Sequence, residues 1–147
     1  MRRIIAAMMI AFLSVSAWAD TPTGFRELKW GSSPPRSLKK LADNGGGLTV
    51  YTPAAGTVPA PLFGLPVAEE AYEFSKLRFY SGSAWLDGRE NFGKAKEALT
   101  KLYGPPTFSN QASELFKWRW PGGKVEVQLY FQAKFSRTTI TFSNDGI

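Results

Sequence analysis

Residues 114–132 hold the pattern that most restricts what this chain can become. Phe116, Trp118 and Trp120 alternate with Lys117 and Arg119. After Gly122-Gly123, Val125, Val127 and Leu129 alternate with Glu126 and Gln128. A period of two belongs to a strand with one dry face and one wet face, and a Gly-Gly pair between two such runs marks a tight hairpin. In the register set by a two-residue turn, the three aromatic residues face Leu129, Val127 and Val125, while Arg119 meets Glu126 and Lys117 meets Gln128. Apolar and polar partners match together, as an antiparallel pair requires. The predicted strands are 114–120, 124–132 and 137–143, the last carrying Thr138, Ile140 and Phe142 on the apolar side.

The remaining elements follow from punctuation. Asp87 and Glu90 stand at capping-box spacing. Phe92, Ala95, Leu99 and Leu102 recur at helical spacing, and Gly104-Pro105-Pro106 stops the run, which predicts a helix over 88–103. Ser33-Pro34-Pro35 reads as a helix start, and Leu38 with Leu41 supplies a stripe for a short helix over 34–42. A strand over 48–52 follows, then a Pro- and Gly-rich connection over 53–66. Strands over 67–74 and 77–86 pair about a Ser75-Lys76 turn, setting Glu73 against Arg78 and Ala71 against Tyr80. The resulting expectation is an α+β domain in the order α-β-β-β-α-β-β-β. It has one antiparallel sheet of about six strands, with both helices packed on its apolar face.

The N-terminus supplies the compartment. Arg2 and Arg3 precede an apolar run from Ile4 to Val15, and Ala17-Trp18-Ala19 precedes Asp20, the three parts of a secretory signal. The run falls short of the ~20 apolar residues of a membrane span, so the mature form carries no span. Residues 1–19 are therefore read as a signal peptide cleaved at Ala19-Asp20, residues 20–147 as one domain, and the destination as periplasmic or secreted. Without Arg2 and Arg3 the chain holds 16 basic against 12 acidic residues. That mild, scattered excess has no basic stripe for nucleic acid. With no cysteine the fold gains no disulfide. With no histidine it lacks the usual neutral-pH base and the usual transition-metal ligand. No cofactor and no metal site are expected.

Several landmarks together resemble a group of small exported bacterial proteins of unknown function. They are Phe25-x-x-Leu28-x-Trp30-Gly31, Tyr72-Glu73-Phe74, Asn91-Phe92, Leu99-x-x-x-Tyr103-Gly104-x-Pro106 and Phe116-x-Trp118. A looser likeness of shape is to periplasmic assembly factors and β-lactamase inhibitors, and it implies a helix-backed sheet whose free face or edges bind protein.

Three functions compete. The first is a binding module whose open sheet face carries Arg78, Tyr80, Lys117, Arg119 and Tyr130 as one patch, since Tyr and Arg anchor interfaces. Its partner is an envelope protein or an anionic envelope polymer. The second is a histidine-free enzyme acting on cell-wall glycan through Glu69 and Glu73, which share a strand face with Glu70 between them. Ser37-x-x-Lys40 has the letters of Ser-Lys chemistry but no partner motif. The third is a small-ligand carrier gated by the loop 53–66. Phe116, Trp118 and Trp120 are read as core. No catalytic constellation stands out, and the first function is preferred.

Overall fold

The computed structural model describes residues 19–147. Apart from Ala19, the expected signal peptide lies outside the described residues. Among those residues the protein is mostly β, with ten strands and one α-helix. Two short strands, β1 (Gly24–Phe25) and β2 (Leu28–Lys29), form a hairpin. The main sheet is built from β3 (Leu38–Asp43), β4 (Leu48–Pro53), β5 (Glu69–Ser75) and β6 (Arg78–Asp87). After helix α1 (Arg89–Tyr103) it continues with β7 (Phe108–Asn110), β8 (Leu115–Arg119), β9 (Val125–Gln132) and β10 (Arg137–Asn144). Its order is β3-β4-β5-β6-β10-β9-β8-β7, with every neighbour antiparallel. Two four-stranded meanders thus meet through their last strands, β6 and β10.

The expected six-stranded α+β sheet with two helices is therefore corrected to an eight-stranded sheet with one helix. Residues 38–43 are strand β3, not helix. The i, i+3 spacing of Leu38 and Leu41 fits a strand because the register shifts between Lys40 and Ala42, a bulge that leaves Leu41 67% exposed. The first hairpin turn is also displaced. It falls at Lys76-Leu77, both with positive φ (49° and 61°), as the two-residue turns that follow strand twist demand. Ser75 then pairs with Arg78 and Phe74 with Phe79, and a second register shift sets Glu73 against Ser81. The second hairpin keeps the expected register throughout, from Phe116 opposite Leu129 to Arg119 opposite Glu126. The capping box of α1 does not form. Gly88 is the N-cap, Asn91 donates to the Asp87 carbonyl, and Glu90 pairs with Lys94 at 2.9 Å.

One face of the sheet is dry because three separate pieces cover it. Helix α1 buries Ala95 and Leu99, and Phe92 packs on Phe116 and Phe131 with ring centres 5.9 Å apart in each pair. Farther along, the β1–β2 hairpin drops Phe25 onto Tyr72 and Phe142, both at 5.5 Å, directly above Gly82. Leu62 and Val67 from the Pro-rich connection complete the cover. Arg26 holds that connection down. Its guanidinium donates to the Ala60 and Pro61 carbonyls and, through Nε and Nη2, to Glu70, whose other oxygen accepts from the Tyr72 hydroxyl. The entering segment is laid along the same face by two indoles. Trp30 Nε1 donates to the Pro22 carbonyl and Trp120 Nε1 to the Ala19 carbonyl, each at 2.9 Å.

Candidate functional site on the open sheet face

Alternation sends the other half of the strand residues to the uncovered face. Register fixes them in rows across the sheet. One runs Glu73, Ser81, Ser143, Glu126, Arg119, and the next Ala71, Ser83, Thr141, Gln128, Lys117. A third runs Glu69, Trp85, Thr139, Tyr130, Leu115. Small hydroxyl residues fill the centre, where Ser83 and Thr141 share a 2.9 Å hydrogen bond. Larger side chains stand toward the margins. Thr139, between Trp85 and Tyr130, is 1% exposed, so its neighbours close over it even on this face.

All five residues singled out from the sequence lie on this side, opposite the helix, but they form two groups and an outlier. Arg78 and Tyr80 belong to β6, and Tyr80 donates to Glu73 Oε2 at 2.8 Å. Burial, then the Glu73 hydrogen bond and charge, push the Tyr80 phenol up to about 12. Lys117 and Arg119 belong to β8, three strand spacings away, or roughly 14 Å. Tyr130 on β9 sits two rows from Arg119, in the Trp85 row.

The β8 group is the most developed. Glu126, 4% exposed, accepts from Arg119 Nε at 2.9 Å and Nη2 at 2.7 Å. It also accepts from Gln128 Nε2, with Lys117 Nζ 3.7 Å away. Burial alone would raise its carboxyl, but the hydrogen bonds from Gln128 and Arg119 and the two cations outweigh that and hold it below the usual carboxylate range. Beside it a groove of about 570 Å³ opens between Thr107, Phe108, Lys117, Arg119, Trp120, Pro121 and Glu126. It exists because β7 is only three residues long, so β8 runs past it. The Thr107 hydroxyl accepts the Arg119 amide where a longer strand would have supplied a carbonyl. Phe108, 47% exposed, forms its outer wall. Phe108 and Thr107 escaped the sequence reading because β7 is exposed at every position and shows no alternation. Glu126 stands on the open face opposite Arg119, as its register predicts, but its near-complete burial leaves no mark in the sequence.

The carboxylates considered for catalysis are each engaged. Glu69 pairs with Arg137 at 3.0 Å, Glu73 with Tyr80, and Glu70 faces the opposite side of the sheet with Arg26. The cleft beside the Pro-rich connection, about 560 Å³, is lined by Leu28, Pro35, Leu38 and Ala60 together with Arg26, Glu70 and Tyr72. Phe116, Trp118 and Trp120 are 3%, 2% and 7% exposed, in the core as their alternation implies. Among the described residues, no group of three or more acidic, histidine or cysteine residues is placed to hold a metal ion. Nor is any helix there long and apolar enough to cross a membrane. No family model, curated protein or solved structure matches the chain.

Proposed function

We propose that this protein is an exported binding module that grips an acidic segment of a partner protein at the β7–β8 margin of its open sheet face. The observation that carries this reading is the groove beside Glu126. There two cations over one acid leave a net positive wall, set against the exposed ring of Phe108 and the edge of Trp120. Arginine beside aromatic rings is the composition of protein interfaces, and complementary charge selects an acidic partner. Among the described residues β7 is the outermost strand on its side of the sheet, an edge to which an extended segment can hydrogen-bond. A partner reaching Arg78 and Tyr80 as well would have to cross the small central residues of β10.

Titration of the protein with a short poly-L-glutamate peptide, followed by backbone amide resonances, tests the proposal. Shifts centred on Phe108, Lys117 and Arg119 that weaken with added salt are expected. Lys117→Gln should loosen binding about threefold to tenfold, the scale of one partly solvated charge contact. Lys117 is chosen because Arg119→Ala would strand the buried Glu126. Binding of polygalacturonate in place of the peptide would transfer the site to an anionic polymer. Shifts located on another surface, or none, would refute the reading.

A further inference from the structure

We infer that cleavage after Ala19 turns the Trp120 indole into a carboxylate-binding donor. This rests on the groove reading above and on processing at Ala19-Asp20. An indole carries one N–H and accepts nothing. That of Trp120 belongs to a residue that is 7% exposed while Ala19 is in place, and its bond goes to the Ala19 carbonyl. Hydrolysis of the Ala19-Asp20 amide consumes one water, leaves a carboxylate on the departing leader and an α-ammonium on Asp20, and removes that oxygen with the leader. Trp120 stays in place, because Tyr103 meets it edge-on at 5.0 Å and its backbone N–H bonds Val125.

Ala19 forms one wall of a notch of about 40 Å³, whose other walls are Tyr103, Pro105, Thr107, Trp118, Arg119 and Trp120. Thr107, Arg119 and Trp120 also line the larger groove, so losing the Ala19 wall extends the groove inward. With Ala19 gone the donor faces a notch still walled by protein, where an acceptor that displaces water gains a hydrogen bond. The acceptor that fits is an anion. The new α-ammonium, charged at neutral pH, favours a carboxylate over a neutral carbonyl, and a charge-assisted bond is the stronger kind. In the uncleaved chain the same donor is satisfied internally. Processing and binding are thereby linked, with the leader residue as the first occupant of the site.

The test compares the processed protein with the full-length precursor, its cleavage blocked by Ala17→Phe. Each is titrated with acetyl-Ala-Glu-Ala, with its C-terminal amide, and with acetyl-Ala-Gln-Ala. The readout is the Trp120 indole N–H resonance, identified by its loss in Trp120→Phe, a change that keeps one aromatic ring and removes the donor with the rest of the indole; unfolding of the variant in urea separates loss of packing from loss of the donor. In the processed protein the resonance should move on titration. Trp120→Phe should weaken binding about tenfold or more, the scale of a hydrogen bond to a charged group. The precursor should not respond. Retention by the amide assigns the carboxylate to the side chain, and retention by the Gln peptide assigns it to the chain terminus. A mature mass that does not begin at Asp20, equal binding by the precursor, or an indole that stays still because water has filled the notch each overturns the inference. If the indole stays still while Lys117 and Arg119 still respond to poly-L-glutamate, the groove reading survives alone. Silence at both sites removes both.

Discussion

Gly82→Ala probes the joint between the β1–β2 hairpin and the centre of the sheet. A Cβ on Gly82 would stand 2.2 Å from Phe25 Cδ1 and 2.5 Å from its Cγ. Ordinary carbon contact is about 3.5 Å or more, so the ring must retreat by more than about 1 Å. Phe25 is 2% exposed and wedged between Tyr72 and Phe142, so its retreat lifts the hairpin and opens both contacts. Overpacking a tight core costs about 1–3 kcal/mol, and complete loss of a buried Phe costs about 3–5 kcal/mol. A destabilisation of about 3 kcal/mol is expected, which for a domain of this size lowers Tm by roughly 10–15 °C. Urea unfolding followed by tryptophan fluorescence measures it. The decisive comparison is the same change on a Phe25→Ala background. With the ring gone, Gly82→Ala should cost almost nothing or stabilise slightly, because Ala loses less backbone entropy in a strand than Gly. The same cost on both backgrounds, or a cost under ~0.5 kcal/mol in the natural chain, would show that Phe25 does not dock above Gly82.

Trp118→Ala should cost about 3–5 kcal/mol in the same assay. The side chain is buried, and its indole N–H also bonds the Gly104 carbonyl at the end of α1; a change typical of surface sites, under about 0.5 kcal/mol, would invert the face assignment. At alkaline pH the folded Tyr80 keeps its proton up to about 12 while the unfolded chain releases it near 10, so the folded state binds more protons in between. Its contribution is therefore present below pH ~10 and is lost as pH rises toward ~12. Tyr80→Phe should flatten the fall in stability over that window, and an unchanged slope would remove Tyr80 as a cause.

Legibility in the sequence tracked how local the deciding forces were. The β8–β9 register could be read because its turn, its apolar pairs and its charged pairs lie within 20 residues of one another. The bounds of α1 could be read because Gly104 ends it locally, at φ 81°. Strand β3 could not. Its half-buried Leu38 and exposed Leu41 carry no alternation, and its structure comes from pairing with β4 across a bulge. The Lys76-Leu77 turn was equally hidden, since neither residue is one that favours positive φ and the strands themselves impose it. At the candidate site the individual cations were visible, and so was their face. Their division into two groups was not, because it depends on β10 entering between β6 and β9, and sheet order leaves no trace in a strand's own pattern.

The meeting of β6 with β10 also sets the order in which the molecule can be assembled. These central strands pair residues fifty or more positions apart, and β10 follows every other described strand in the chain, so it is synthesised after them. Until it arrives, β6 is a bare edge ten residues long, and Phe142, one of the two rings that hold Phe25, is missing. Such an edge is a template for wrong pairing, and closing so distant a contact is slow. Losing β10 therefore deletes the middle of the sheet, whereas losing β3 or β7 only trims a margin. The main sheet of this chain therefore closes only once β10 has joined β6 to β9.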